Sequence, residues 1–391
     1  MDQQDRHDAE IFDGAPPRRL EKFLGLIRPD QRRTGRRALL IVLLAWAPLY
    51  VIAAIETLLS GENILGSLIR DLTVISRYLI VAPLLILAEE ATSFRMGQIA
   101  RHFIDAGLVI PSESRRFDAI LSQCRGWLTS ASVELLVMVL AYFVVFFLIK
   151  AIPNQEIPFW HKALGGEAGY SWTGCWHAWV SVPVGLTLLL GWLWRILIWG
   201  IFLMRVSRLN LHLIPAHPDL VGGMQFVGLS VRAFLPVAFA IGMSVAGGVA
   251  QRVLNGSASF FSFVYVIAAV VVLNILLFVG PLLVFIGKLV EARRRGILAY
   301  SGLAAAVGGQ LEKKWLDSHQ RVDEAALEVA HFSATTDLYQ TVSNVYQMKT
   351  IPIDNQDLIA LIIVTLLPFL PALLFEVPMN EILTDLIKVM F

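Results

Sequence analysis

Long apolar segments separated by polar or glycine-rich sequence make up most of this chain. A helix needs about 20 consecutive, mainly apolar residues to cross the hydrocarbon core of a bilayer. Seven segments meet this requirement, and their pattern predicts membrane helices over residues 38–59, 69–88, 130–151, 176–203, 233–251, 262–287 and 358–376. The predicted fold is therefore an all-α, polytopic bundle of seven transmembrane helices.

The spans divide the chain into four regions: a basic segment (1–37), a six-span bundle (38–287), a polar segment (288–357), and the seventh span with a short tail (358–391). Within the polar segment, apolar residues recur at helical spacing from about residue 310 to 347. We expect two helices there, with a break near Ser333, Ala334 and Thr335. The segment is too short for an independent enzymatic domain with a deep core.

The composition excludes a soluble globular protein. Hydrophobic residues make up 56% of the chain and charged residues 16%, and the mean hydropathy is +0.65. Soluble domains carry roughly 25% charged residues. The net charge of +1 carries little information by itself, so the placement of the charges matters more.

Basic residues concentrate on one side of the predicted spans. Lys and Arg accumulate in short cytoplasmic loops of membrane proteins, whereas acidic residues contribute little to orientation. The pattern therefore predicts a cytoplasmic N-terminus and an external tail at 377–391. The basic residues are Arg18, Arg19, Lys22, Arg28, Arg32, Arg33, Arg36 and Arg37 before the first span, Arg95, Arg101, Arg115, Arg116 and Arg125 after the second, Arg205 and Arg208 after the fourth, and Lys288, Arg293, Arg294, Arg295, Lys313 and Lys314 after the sixth.

The chain also contains a candidate internal repeat. Residues 37–61 align without a gap on residues 232–256, and shorter matches follow in the same order at a similar offset. Two parallel repeats of three spans, joined by the fourth span, would explain this order, and transporters often have such symmetry. Shared apolar composition alone explains it as well, because membrane helices draw on few residue types.

Three polar residues inside the predicted spans are candidates for a substrate or ion pathway: Arg195, Glu134 and Asn274. Charged groups are costly within a membrane and usually face a partner or a wet cavity. Arg195 and Glu134 could form a buried ion pair between the fourth and third spans, or contact a solute. Asn274 could bind a ligand or form a hydrogen bond between helices.

A polar loop between the fourth and fifth spans contains His217, Asp219, Gly222 and Gly223. Asp219 is suited to capping a turn or helix, and the two glycines permit a positive φ. Loop architecture is one interpretation, and a cytoplasmic binding loop or gate is the other. Three candidate ligands without further His or Cys at metal spacing do not predict a metal site.

Local enzyme signatures are missing from the sequence. We find no phosphate-binding glycine loop, no Gly-x-Ser-x-Gly turn, no His-Glu-x-x-His and no kinase motifs. No cofactor is predicted. A membrane enzyme whose residues converge from several helices would escape this search, so the enzyme class stays open.

Two motifs carry a family resemblance. His217-Pro218-Asp219-x-x-Gly222-Gly223, and the run from Ile351-Pro352-Ile353-Asp354 through Leu367-Pro368-Phe369-Leu370-Pro371 to Leu383, resemble features of a group of uncharacterised bacterial polytopic inner-membrane proteins. The resemblance covers the membrane core. It implies an inner-membrane location and this architecture, and it implies no activity.

Together these patterns favour a transporter or channel for an unidentified solute. The alternative is a membrane sensor or scaffold that recruits a cytoplasmic protein through residues 288–357. The expected partners are the lipid bilayer and either a cytoplasmic protein or further copies of this chain, and nucleic acid is not expected.

Overall fold

The computed structural model describes Phe12, Gly14, Pro16 and residues 34–151, 157–163, 169–313 and 330–376, with side chains in the last range described from Thr335. Within these ranges the chain forms helices and no β-strand, which confirms the all-α prediction. Most of the predicted basic segment 1–37 and the tail after residue 376 lie outside the described residues.

Seven described helices are long and apolar enough to cross a membrane, as predicted. The first to seventh spans are Thr34–Ser60, Leu72–Asp105, Ala131–Ala151, Trp172–Val206, Gln225–Leu254, Phe260–Phe278 and Asn355–Glu376. The chain is therefore an integral membrane protein of multi-pass type. The second span continues 17 residues beyond its predicted end at residue 88, because its polar C-terminal half keeps helical geometry.

Two predicted boundaries in the second half of the chain are wrong. The sixth span ends at Phe278, and a 3₁₀ segment at Gly280–Phe285 containing Pro281 separates it from the next helix, Ile286–Glu312. Proline lacks the N–H that an α-helix needs, which explains the interruption. The predicted break near Ser333 is also wrong, since that residue lies inside the helix Ala330–Gln347.

The spans differ in how deeply they are buried by the rest of the protein. The second, fourth and fifth spans are 50%, 50% and 56% buried, whereas the third and sixth are 22% and 17% buried. The central spans carry most of the main apolar core, where Phe103 packs against Phe117, Phe202 and Phe285. The third and sixth spans therefore form the periphery, where apolar side chains are left for lipid.

The two ends of the bundle are chemically different. We call the end where the second and fourth spans finish, at Asp105 and Val206, the basic end, and the other the tryptophan end. At the basic end, Leu220 accepts a hydrogen bond from the Lys349 N–H over 2.7 Å. At the tryptophan end, Trp160 donates to Asp71 over 2.9 Å. These contacts place successive loops at alternate ends, as seven crossings require.

The internal repeat stays a prediction. Its best-matched prolines, Pro83 and Pro281, lie in different local structures: the first follows a π-helical turn at Ser76–Val81, and the second lies within the 3₁₀ segment Gly280–Phe285.

Candidate functional site

Two of the central spans contain a π-helical turn near their first residues. The turns are Ser76–Val81 in the second span and His177–Ser181 in the fourth, and each closes with an i to i+5 bond, Ala82 N–H to Arg77 O and Val182 N–H to His177 O. Pro83 and Pro183 lie two residues after the ends of these turns. A proline clashes with the carbonyl four residues earlier, and a wider turn relieves that clash. Such π turns occur frequently at functional sites.

The two π turns bring a tyrosine and a histidine into one hydrogen-bonded chain. The Tyr78 hydroxyl lies 3.1 Å from Nε2 of His177, and Nδ1 of His177 lies 2.8 Å from Nε2 of His161. Tyr78 is only 2% exposed. His161 lies on the short 3₁₀ turn Phe159–His161, before the fourth span. Both ring nitrogens of His177 are therefore occupied, and the chain runs from the bundle interior toward the loop.

Burial lowers the pKa of His161 to about 4. Desolvation disfavours the charged imidazolium, which explains the direction of the shift. At neutral pH His161 is therefore uncharged, with one ring nitrogen as donor and the other as acceptor.

A carboxylate fixes the loop that carries His161. Asp71 accepts hydrogen bonds from the Thr73 and Val74 N–H groups over 2.9 and 3.2 Å, which caps the start of the second span. Its other oxygen accepts from Nε1 of Trp160, the residue before His161. Asp71 thus has a structural role in positioning the histidine.

A second carboxylate at this end caps the fourth span. Glu56 accepts bonds from the Trp172 N–H over 2.6 Å, and from the Thr173 N–H and hydroxyl over 3.1 and 2.5 Å. It is 2% exposed. This ties the end of the first span to the start of the fourth, close to the π turn at His177.

A cavity of about 240 Å³ adjoins the histidine–tyrosine chain. It lies between the second, third and fourth spans, under the loop that carries Trp160 and His161. Its wall is mainly apolar with a few polar groups, as is common for small-molecule sites. The lining residues are Asp71, Thr73, Val74, Arg77, Val145, Leu148, Ile149, Ile157, Pro158, Trp160, His161, Tyr170, His177, Ala178 and Val182.

Arg77, an exposed residue, contributes the positive charge of this wall. It follows Leu72 by five residues in the second span, about 7.5 Å along a helix. Its side chain forms no ion pair or hydrogen bond with any residue that the structure describes. Asp71, the carboxylate in the same wall, is bonded to two backbone N–H groups and Trp160 instead.

The predicted pathway residue Arg195 lies in a different place, in a buried triad. Glu89 of the second span forms ion pairs with Arg37 over 2.7 Å and with Arg195. All three side chains are at most 10% exposed, and the Arg195 guanidinium lies 4.7 Å from the ring centre of Trp192. The triad joins the first, second and fourth spans.

The expected pairing of Arg195 with Glu134 is wrong. Among the described side chains, the carboxylate that meets Arg195 is Glu89, and no ion pair joins it to Glu134. Glu134 lies buried in the first turn of the third span.

Little free space surrounds the triad. A pocket of about 10 Å³ remains beside Arg195, room for about one water molecule. Phe12 closes it: this side chain is 5% exposed and packs edge-on against Trp199 and Phe202, with ring centres 5.3 and 5.5 Å away. The Ser93 hydroxyl donates to the Phe12 carbonyl over 3.3 Å.

Asn274 joins its own span to two others and does not meet Arg195. Its fully buried Nδ2 donates to the Ala238 carbonyl over 3.2 Å and to the Thr365 hydroxyl over 2.9 Å. These bonds tie the sixth span to the fifth and seventh, which matches the expectation of an interhelical hydrogen bond.

The His217 to Gly223 loop lies at the basic end, remote in the fold from the cavity. Asp219 accepts bonds from the Val221, Gly223 and Gln225 N–H groups over 2.9, 3.1 and 3.1 Å, and its carboxylate lies 2.8 Å from Nδ1 of His217. Burial opposes ionisation of Asp219, but these donors outweigh it and lower its pKa. The loop thereby leads directly into the fifth span at Gln225.

Positive φ angles explain the glycines of this loop. Gly222 and Gly223 have φ values of 69° and 92°, where a Cβ would be strained. These features favour the architectural interpretation of the loop. Among the residues that the structure describes, no three or more His, Cys, Asp or Glu side chains cluster in a way that could hold a metal.

The cavity residues were missed by sequence reasoning, although two signals pointed to them. Arg77 lies inside the predicted second span and meets the criterion of an intramembrane charge that singled out Arg195. Tyr78 and His177 each precede an intramembrane proline by five or six residues. Their meeting with His161 required knowledge of which helices are neighbours.

The spans and their burial define the chain as a multi-pass membrane protein. Its best candidate site is defined by the histidine–tyrosine chain and by Arg77, which forms no ion pair within the described residues. Comparison with protein-family models, with curated proteins and with solved structures gives no match to this chain.

Proposed function

We propose that this chain is a solute transport protein of a bacterial inner membrane, with its binding site in the cavity at the tryptophan end. The observation that carries the proposal is the cavity of about 240 Å³ between three spans, which is lined by Arg77, His161 and His177. Tyr78 lies behind this wall and is bonded to His177. A scaffold has no need for a lined space of this kind within its membrane part.

The orientation follows from the basic residues. Under the positive-inside rule, the basic end faces the cytoplasm and the tryptophan end faces the periplasm. The cavity would then receive solute from outside. The resemblance of the His217 to Gly223 loop and the C-terminal run to bacterial inner-membrane proteins agrees with this location.

The buried triad supports an alternating mechanism. Transporters keep one end closed while the other is open, through rigid-body movement of helix groups around the site. Arg37, Glu89 and Arg195 tie three spans together below the cavity, and Phe12 covers them on the basic side. Movement of solute beyond the cavity would require these contacts to separate.

Cysteine accessibility tests the proposal without knowledge of the solute. In a background of Cys124→Ser and Cys175→Ser, Ala178→Cys reports on the cavity and Ser93→Cys on the region beside the triad. Both positions are buried, at 5% and 4% exposure. Membrane-impermeant maleimide is applied to spheroplasts and to inverted vesicles.

We expect Ala178→Cys to react from the tryptophan end and Ser93→Cys to react slowly from the basic end. A transporter also predicts that the two labelling reactions compete. Reaction of the Ala178→Cys thiol holds the outward-open state and thereby protects the Ser93→Cys thiol. Complete protection of Ser93→Cys from the basic end, in a variant that purifies as a single species, would contradict the proposal.

A scaffold is the second candidate, favoured by apolar residues outside the bundle. Leu298 and Leu303 on the helix Ile286–Glu312 are 71% and 49% exposed. The neighbouring helix Ala330–Gln347 contacts this helix through Arg293, which donates to the Tyr346 carbonyl over 3.0 Å. Stoichiometric co-purification of a protein, lost in Leu298→Glu but kept in Ala299→Glu, would favour this candidate.

A further inference from the structure

We infer that the cavity binds an amphipathic anion, with a carboxylate or phosphate group at Arg77 and an apolar body against the third span. The inference deepens the proposed function and rests on it for the role of the ligand as a transported solute. Binding itself is a separate property and is tested separately.

The cavity wall carries a positive charge at Arg77. Arg77 lies inside a membrane span, and no carboxylate among the described residues pairs with it. Asp71 is the acidic group of the wall, and its oxygens are already bonded to Thr73, Val74 and Trp160. Arg77 is an exposed residue five positions from the start of its span. A charge within a span is stabilised by a counter-charge or water, and an anion in the cavity would supply the counter-charge.

The guanidinium favours oxyanions with several oxygens. Its planar set of N–H donors matches a carboxylate or phosphate through two parallel hydrogen bonds, which gives both geometry and strength. This choice of head group follows from the arginine itself, because a lysine would bind as a point charge.

The histidine–tyrosine chain can supply a further donor. With neutral histidines, the chain has two proton arrangements. In one, Tyr78 donates to His177, His177 donates to His161, and Nδ1 of His161 carries a proton. Nδ1 forms no hydrogen bond with the described residues, since the contact with His177 uses Nε2. A bound anion would stabilise this arrangement.

The apolar part of the cavity wall indicates that the remainder of the ligand is apolar. Val145, Leu148 and Ile149 of the third span face the cavity, together with Ile157 and Val182. A small hydrated inorganic anion would lose water there without compensation, whereas an apolar body gains from burial at about 25 cal/mol per Å². The volume of about 240 Å³ suits a short chain or a single ring, since a cavity of about 150 Å³ can hold benzene.

Two sources could provide this chemistry: a soluble organic anion, or the head group and upper chain of an anionic phospholipid. Direct binding distinguishes them. The purified full chain in phosphatidylcholine nanodiscs is titrated with benzoate and phenyl phosphate, and with benzamide as the neutral match. Quenching of tryptophan fluorescence reports the binding, because Trp160 lies in the wall. Native mass spectrometry of protein purified with phosphatidylglycerol reports a retained lipid.

We expect benzoate or phenyl phosphate to bind more tightly than benzamide, and Arg77→Gln to weaken binding of the anion by about 10- to 100-fold. Arg77→Lys should recover part of the loss. Arg70→Gln is the matched control, because Arg70 is an exposed arginine at the same end and lies outside the cavity wall.

Each outcome is decisive. Arg77-dependent binding of the soluble anions supports the soluble source, and retention of phosphatidylglycerol that Arg77→Gln removes supports the lipid source. Binding of neither, or binding that Arg77→Gln and Arg70→Gln leave equal, overturns the inference. An anion that binds while Ser93→Cys stays protected would leave the inference standing and reject transport.

Discussion

The two polar clusters inside this bundle use arginine in opposite ways. At the tryptophan end, Arg77 borders a cavity of about 240 Å³ and forms no ion pair with the described residues. Further in, Arg195 shares Glu89 with Arg37, packs on Trp192, and has about 10 Å³ of space beside it. The first arginine borders open space, and the second is paired within the protein.

The comparison shows that two arginines within membrane spans can differ in the space around them and in their ion pairs. A buried ion pair repays its desolvation only when the geometry is good and further contacts satisfy the charged groups, and it holds the helices in one register. An arginine that borders a cavity loses less of its hydration, so its desolvation costs less free energy. Its guanidinium remains accessible from the cavity. Space and pairing are the discriminating properties, and both depend on the fold.

Glu89→Gln should produce the largest loss. The substitution leaves Arg37 and Arg195 buried without the carboxylate they share, and breaking a buried pair in this way costs about 3–5 kcal/mol. Unfolding in detergent, followed by circular dichroism with increasing dodecyl sulfate, measures the loss.

Glu90→Gln is the control for this loss. Glu90 neighbours Glu89 and accepts one bond from the Thr34 hydroxyl over 3.2 Å, in a less buried position. Equal losses of stability in the two variants would show that the triad stabilises the packing of the spans no more than the Glu90 bond does.

Acid should destabilise the folded protein through His161 beside the cavity. The pKa of His161 is about 4 in the folded protein and about 6.5 in an unfolded chain, so the unfolded chain binds a proton first as the pH falls. The stability that His161 contributes is therefore complete above pH 6.5 and is lost as the pH falls toward 4, by up to about 3 kcal/mol.

Thermal unfolding of purified protein between pH 7.5 and 4 measures how stability changes with pH. His161→Gln keeps a hydrogen-bonding side chain and does not titrate, so its stability should fall less over the same range. A variant with the same slope as the parent would assign the pH dependence to other groups.

Tyr78→Phe should have an intermediate effect. It removes the hydroxyl that lies 3.1 Å from Nε2 of His177 and leaves that nitrogen without its partner, which costs about 1–3 kcal/mol. Denaturation in dodecyl sulfate measures the change. Tyr142→Phe is the control, because the Tyr142 hydroxyl makes only a long bond of 3.4 Å at an exposed position.

The comparison also shows how far the sequence could lead. Hydrophobic segments predicted all seven spans, since length and polarity decide whether a helix crosses a membrane. The partner of Arg195 was not predictable, because Glu134 and Glu89 both precede it on neighbouring spans and only packing selects between them. The histidine–tyrosine chain beside the cavity was even less predictable, because its residues come from a loop and two spans. His161 and Tyr78 are separated from His177 by 16 and 99 positions in the sequence.

The paired substitutions Arg77→Gln and Arg195→Gln sharpen the contrast most directly, because they make the same chemical change in two spans. Arg195→Gln removes one ion pair of Glu89 and should cost about 1–3 kcal/mol. Arg77 has no ion pair among the described residues to lose, so Arg77→Gln should change the free energy of unfolding by less than about 0.5 kcal/mol. Denaturation of the two variants in one lipid composition provides the measurement. A loss at Arg77 as large as that at Arg195 would mean that Arg77 also supports the fold, and that a charge beside the cavity is no guide to the ligand.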